Sequence, residues 1–226
     1  MNCASCEEHI RDFYGFAVAA GFAEDSFLSA ANKERYIATS IDAYRDYPLF
    51  LHTFGKSYDE KTFRRMMTVD LKSRMHGLAG ISAGGDFESV MLIEPPGAKK
   101  VGMPQYVRVA RPGDYTLLFK PAMYRLEDYE KYAGEKRKNW LDDTTWYIYV
   151  FATRKAAQRQ GYGRKLMNLM LSYADRRDRR ICLETNLADN VSMYGRFGFV
   201  SVSSSMYRDA LEHYVMLYPG EEKRQP

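Results

Sequence analysis

The sequence predicts an α/β fold, on three observations. Trp146-Tyr147-Ile148-Tyr149-Val150-Phe151-Ala152 is aromatic and β-branched and is bounded by polar residues, the composition of a strand. After Gln158-Arg159-Gln160-Gly161-Tyr162-Gly163, the residues Leu166, Met167, Met170, Leu171 and Ala174 recur at helical spacing. Ile181-Cys182-Leu183-Glu184-Thr185-Asn186 then reads as a second strand, followed by a short helical segment and a further strand.

The other elements follow in chain order. Residues 1–25 are expected to form a partly helical N-terminal extension, and residues 26–226 a single domain. Ser26–Ala30 reads as a short strand. Asn32 is placed to cap a helix that runs to Tyr47 and stops at Pro48. A second helix is expected from Asp59 to Met75, with Phe63, Met67, Leu71 and Met75 on one face. Ala79–Ala83 and Glu88–Glu94 flank Gly84-Gly85 as a hairpin. Between Ala98 and Asp143 the pattern supports one helix, after Pro121, carrying Ala122, Met123, Leu126, Tyr129 and Ala133. A loop is expected to begin at Met206–Arg208, and His213–Tyr218 reads as the last strand.

The chemistry concentrates at the glycine turn. A helix start leaves several backbone N–H groups without intrahelical acceptors, and the helix dipole adds positive potential there. Such a turn suits a pyrophosphate, and glycine lets the anion lie against the backbone. Arg154, Lys155, Arg159, Arg164 and Lys165 surround it with positive charge. Arg164-Lys165-Leu166 after Gly163 excludes a Walker-type loop, and Leu166 occupies the third-glycine position of a dinucleotide fingerprint. By itself the turn is equally a plain helix start.

Gln158 to Gly163 matches Gln/Arg-x-x-Gly-x-Gly/Ala and resembles the acyl-CoA pyrophosphate loop of the GNAT superfamily of N-acyltransferases. Asn190-Val191-Ser192-Met193-Tyr194-Gly195-Arg196-Phe197-Gly198-Phe199 is similar to the GNAT segment Asn-x-x-x-Tyr-x-x-x-Gly-Phe. Asn190 and Tyr194 are one helical turn apart and can face one ligand. Ala43–Phe50, with Asp46-Tyr47-Pro48-Leu49-Phe50, and Ile93-Glu94-Pro95-Pro96-Gly97 resemble a GNAT subgroup with Asp-x-Pro-Leu-Phe and Pro-Pro-Gly segments.

The resemblance implies a mixed, twisted sheet flanked by helices, with two parallel strands that splay apart to admit the pantetheine arm. It implies an acetyl-CoA-dependent N-acetyltransferase that moves the acetyl group to a small-molecule primary amine by direct attack. A non-catalytic acyl-CoA-binding protein and a protein N-acetyltransferase are the alternatives. Acetyl-CoA is the expected cosubstrate, held by Phe151, Ala152, Thr153, Gln158, Arg159, Gln160, Gly161, Tyr162, Gly163, Arg164, Asn190 and Tyr194. Tyr194 is the expected general acid. Glu184, a carboxylate in a strand expected to be buried, is the first choice of base, with Glu88, Glu94 and His52 as alternatives. Arg154-Lys155 replaces the Asp-Pro that often follows this strand in the family.

Bulk properties fit this reading. With 226 residues and 46% apolar content the chain can bury one sizeable core. Its net charge of +4 does not imply nucleic-acid binding, and no apolar run has membrane-spanning length. Three cysteines form no disulfide framework, so a cytoplasmic setting is expected. Cys3-Ala4-Ser5-Cys6 with His9 lacks a second ligand pair, and no metal is expected. A monomer or homodimer is expected.

Overall fold

The computed structural model describes residues 4–99 and 101–219. Six strands form one mixed sheet, β1 (Ala79–Ala83), β2 (Ser89–Glu94), β3 (Thr145–Thr153), β4 (Arg180–Thr185), β5 (Val200–Tyr207) and β6 (Leu211–Tyr218), in the order β1-β2-β3-β4-β6-β5. Only β3 and β4 are parallel neighbours. The helices are α1 (Ala4–Ala19), α2 (Lys33–Tyr44), α3 (Pro48–Phe54), α4 (Glu60–Arg74), α5 (Met103–Val109), α6 (Pro121–Arg137), α7 (Tyr162–Arg177) and α8 (Ala188–Gly195). Among the described residues no helix is long and apolar enough to cross a membrane.

The alternation of side chains across the strands builds two cores. Met91, Ile93, Trp146 and Ile148 join Leu166, Met170 and Tyr173 of α7 on one face. α1 packs there too: Phe13 is fully buried between Trp146 and Tyr173, and Asp12 pairs with Arg177 at 2.7 Å. On the other face Val90 and Leu92 meet Ile37 of α2 and Phe63, Met67 and Leu71 of α4.

A bulge in β3 shapes the centre of the sheet. Leu92 pairs with Val150 but Ile93 with Ile148, so Tyr149 is the extra residue. Consecutive residues Tyr149 and Val150 therefore face the same core, and beyond them the alternation is reversed. A bulge bends its strand and increases local twist. The β3–β4 ladder runs only from Thr145↔Arg180 to Ile148↔Leu183 and stops where the bulge begins. The two strands then diverge, as expected of the splayed pair.

Four details depart from the sequence expectations. Ser26–Ala30 is not a strand; a 3-10 turn at Glu24–Ser26 leads to a single bridge, Phe27 to Ile81. Asn32 does not cap α2 with its side chain; its Oδ1 accepts from Ser29 N (2.8 Å) and its Nδ2 donates to Phe27 O (2.7 Å), tying the preceding loop. α2 ends at Tyr44, short of Tyr47, and Pro48 does not stop it but opens α3, because a proline's missing N–H costs nothing at the first helical position. The loop expected from Met206 is instead a tight hairpin turn. Arg208 and Asp209 both have positive φ (49° and 53°), and Ala210 N bonds Tyr207 O at 3.1 Å.

Candidate active site

The glycine turn has the geometry of an anion cradle. Gly161, at φ 90°, precedes the first residue of α7, and Arg159 also has positive φ (63°). Lys165 N bonds Gly161 O at 3.0 Å, so the N–H groups of Tyr162, Gly163 and Arg164 precede the helix's own acceptors. At Gly163 a Cβ would lie 3.2 Å from Thr153 Oγ1 and 3.3 Å from the Phe151 ring, so glycine lets α7 start against the end of β3. Two of the five expected cations are committed elsewhere. Arg154 pairs with Asp86 (3.3 Å) and bonds Thr39 Oγ1 (3.0 Å), and Lys155 pairs with Asp46. Arg159 and Arg164 make no ion pair among the described residues and are exposed beside the turn.

The gap between β3 and β4 is lined by hydroxyls. Arg154 N bonds Glu88 O, so in this antiparallel ladder the main-chain groups of Ala152 face β2, while those of Phe151 and Thr153 face the gap. The Tyr44 hydroxyl lies 3.3 Å from both Phe151 N and Phe151 O. On the β4 side the Tyr47 hydroxyl meets Thr185 Oγ1 at 3.1 Å and accepts from Asn186 N at 2.8 Å. Asn190 donates to Thr185 Oγ1 at 3.0 Å. Tyr194 is buried near Phe151 and Phe199, with ring centroids 6.4 and 5.8 Å away. Burial, reinforced by Tyr44 and Tyr47, pushes its pKa well above the usual tyrosine value, so its hydroxyl keeps its proton near neutrality.

Beneath the gap, on the α2–α4 side, lies a cavity of about 590 Å³. Its walls are apolar: Phe50, Met66, Met67, Val150, Leu117, Leu118, Met123 and Leu126. Val101–Leu118, the stretch without a helical pattern, contributes one wall as α5 and a 3-10 segment; Arg65 pins it through Asp114 at 3.1 Å. The β5–β6 hairpin does not line the cavity.

Charged residues also line the cavity, among them Asp70, Arg74, Glu130 and Glu184. Asp70 accepts from Arg74 (3.0 Å), Tyr106 (3.0 Å) and Tyr149. Glu184 Oε2 accepts from Arg137 (2.8 Å) and Tyr147 (2.6 Å). Glu94 and Glu130 stand 3.9 and 3.8 Å from Arg74 and Arg137. These four carboxyl groups thus share two guanidinium groups. Of the other expected bases, Glu94 stands beside Arg74, Glu88 caps Asp86 N (2.9 Å) in the β1–β2 turn, and His52 packs on Tyr207; none of the three lines the cavity. Cys182 is fully buried, and burial pushes its thiol up, so it is no nucleophile. Cys6 is buried with Sγ 3.7 Å from Pro96 O, whereas Cys3 lies outside the described residues.

Burial also raises the pKa of Glu94 and Glu130, against the pull of both arginines. Glu130 keeps 39% of its side-chain surface because that surface faces the cavity, while protein encloses its other sides. A carboxyl with a raised folded pKa holds its proton more tightly folded than unfolded. Stability is therefore lost as pH rises from the ordinary glutamate value of about 4.3 through the raised one. Glu130→Gln is expected to melt higher than wild type by a margin that grows from about pH 4 to pH 7. Thermal melts across that range check it, and a pH-independent margin would show that the carboxyl is not raised.

Residues 128–218, which include β3, the glycine turn, α7, β4 and α8, match the acetyltransferase (GNAT) domain. Over that segment the chain carries a GNAT acetyltransferase domain. This GNAT chain shares its fold with solved structures at low identity. One, described as histone acetyltransferase HPA2 and related acetyltransferase from Corynebacterium glutamicum, is 19% identical, with a TM-score of 0.57 over 89% of this chain and 97% of that one. Arylalkylamine N-acetyltransferase 2 from Aedes aegypti is 14% identical, with a TM-score of 0.52 over 84% and 96%. An N-acetyltransferase from Staphylococcus aureus Mu50 is 10% identical, with a TM-score of 0.53 over 83% and 95%. No curated protein matches the sequence. Acetyl-CoA is the cosubstrate of that family.

Asp70, Arg137 and His213 join the site unannounced by any motif, whereas Tyr44 and Tyr47 lie in the Ala43–Phe50 segment and Tyr129 on the helix after Pro121. For the tyrosines the signal was their density, 18 in the chain, which does not say which of them converge; Asp70, Arg137 and His213 had no signal.

Proposed function

We propose that this GNAT acyltransferase moves an acetyl group from acetyl-CoA to the primary amine of a small molecule with an apolar body, by direct attack. The observation that carries this reading is the cavity, with largely apolar walls and with the carboxyl groups of Asp70, Glu130 and Glu184 in its lining against one guanidinium group, Arg74. Apolar walls bind a hydrocarbon or aryl body, and surplus carboxylate favours an ammonium group. The wall formed by Val101–Leu118 limits access for a polypeptide and favours a small acceptor over a protein.

In this reading the N–H groups of the turn from Gln158 to Arg164, with the free cations of Arg159 and Arg164, hold the pyrophosphate. The pantetheine arm bonds the gap-facing main chain of Phe151 and Thr153, displacing the Tyr44 hydroxyl, and Asn190 lies beside it. The Phe151 N–H faces the gap as a preorganised donor for the tetrahedral oxyanion. Tyr194 donates its hydroxyl proton to the departing thiolate. Glu184 serves removal of the amine proton.

Acetyl-CoA at about 100 times its Kd is expected to stabilise the fold by about 2.7 kcal/mol, read as a rise in melting temperature. A panel of alkyl- and arylalkylamines, followed by CoA release, then tests the acceptor. Acceptor-dependent turnover excludes a passive acyl-CoA-binding protein. A stabilised protein that turns over no amine but acetylates peptides would overturn the small-molecule reading.

A further inference from the structure

The buried network behind Glu184 has its proton positions determined by its own donors and acceptors. Asn186 Nδ2 donates to the main-chain carbonyl of Glu212, which can only accept, so nitrogen is the atom on that side of the amide. The second Nδ2 proton goes to the Tyr129 oxygen, 2.8 Å away. Tyr129 therefore accepts from Asn186 and turns its own O–H to His213 Nδ1, at 2.9 Å. That makes Nδ1 an acceptor and puts the imidazole proton on Nε2. Nε2 faces Glu184 Oε1 at 3.4 Å, and these two buried atoms have no other partner among the described residues. The line hydroxyl, imidazole, carboxylate runs from Tyr129 and Asn186, which line the cavity, to the carboxylate held by Arg137 and Tyr147.

We propose that Tyr129, backed by His213 and Glu184, removes the proton from the bound amine. The proposal rests on the small-amine reading above. Tyr129 Oη takes a proton from the substrate ammonium as its own proton passes to His213 Nδ1. His213 becomes an imidazolium whose Nε2–H faces Glu184 Oε1. The freed nitrogen lone pair attacks the thioester carbon, the C–S bond breaks, and the thiolate takes the Tyr194 proton. The nitrogen of the collapsing intermediate loses a second proton, which restores Tyr194 through solvent. The imidazolium proton returns through Tyr129 to the cavity. One ammonium and one thioester thus give one amide, one thiol and one proton. Presenting a lysine-like amine neutral near pH 7 otherwise costs about 4 to 5 kcal/mol, and an imidazole braced by a carboxylate is a suitable acceptor.

Tyr129 is the catalytic residue of this relay; His213 and Glu184 act through it. The groups facing His213 are Tyr129 and Tyr132 from α6, Glu184 from β4 and Ser205 from β5, with Arg137, Glu130 and Tyr147 around Glu184.

Nitrogen-15 NMR of histidine-labelled protein is expected to show His213 as the Nε2–H tautomer. An Nδ1–H tautomer overturns the relay whatever the activity. His213→Gln can still accept from Tyr129 and donate to Glu184, but it cannot take a proton. Its kcat/KM at pH 7 is expected to fall roughly 10²-fold, with acetyl-CoA affinity unchanged and activity recovering as pH approaches the amine's own pKa. Tyr129→Phe, which keeps the ring, is expected to shift the pH profile in the same way and serves where His213→Gln does not fold. Near-wild-type turnover in either folded variant, or a loss equal at every pH, overturns the relay while amine acetylation by the wild type stands.

Discussion

Replacing Tyr194 by phenylalanine is expected to lower turnover roughly 10²–10⁴-fold, the contribution of a positioned acid, and to leave acetyl-CoA affinity close to wild type. The ring of Tyr194 is buried between Phe151 and Phe199, and phenylalanine keeps that packing. The hydroxyl has no hydrogen-bond partner among the described residues. Its removal strands no buried group, so stability should change little. Because burial raises its pKa, the hydroxyl is present as a donor throughout the neutral range. Acetyl-CoA titration and single-turnover kinetics with one amine separate binding from chemistry. Wild-type single-turnover rates in a folded Tyr194→Phe protein would leave Tyr194 as a wall of the cofactor site.

Gly161→Arg has the opposite signature: acetyl-CoA binding itself is expected to fail. Gly161 has φ 90°, and nothing lies within 4 Å of an added Cβ, so a side chain there projects into the open space at the helix start. In the proposed function the pyrophosphate occupies that space and meets the N–H groups of Tyr162, Gly163 and Arg164. Hydrogen bonds to a charged group contribute about 1.5–3 kcal/mol each, so displacing two weakens binding by about 10²-fold or more. The backbone cost is smaller, about 1–2 kcal/mol for a side chain in the left-handed region. The loop already holds Arg159 there, so the variant should fold. Calorimetric titration with acetyl-CoA and a melt without ligand read the two effects separately. Wild-type affinity in the folded variant would remove the turn from the cofactor site.

The contrast between these variants reflects what was legible. Tyr194 and Gly161 lie in contiguous segments whose chemistry is local. A strand, a glycine turn and an amphipathic helix carry their own patterns, and β3, α7, β4 and α8 formed where those patterns lay. The hairpin turn at Arg208-Asp209 was missed because it opens on an arginine and contains no glycine, unlike the Asn-Gly or Asp-Gly pair that marks such a turn. Val101–Leu118 was unreadable because its short α5 and 3-10 segment offer no sustained period. The bulge at Tyr149 left no mark at all, since one surplus residue in an aromatic strand changes neither composition nor length.

The sequence by itself determined the α/β class, the glycine turn at the start of α7 and the Asn190–Tyr194 pair, because each depends on residues within about one helical turn or one strand of one another. Only the tertiary structure decided which other side chains share the site. Glu184 became part of a buried network because β4 lies beside β6, which brings His213 to it, and because α6 supplies Arg137 and Tyr129. Tyr129 is 84 residues from His213 in sequence, and Arg137 is 47 from Glu184. Their proximity is a product of sheet order and of the β3 bulge, which ends the β3–β4 ladder and opens the gap that the tyrosines line. No local propensity encodes that arrangement; it follows from how whole layers bury their apolar faces.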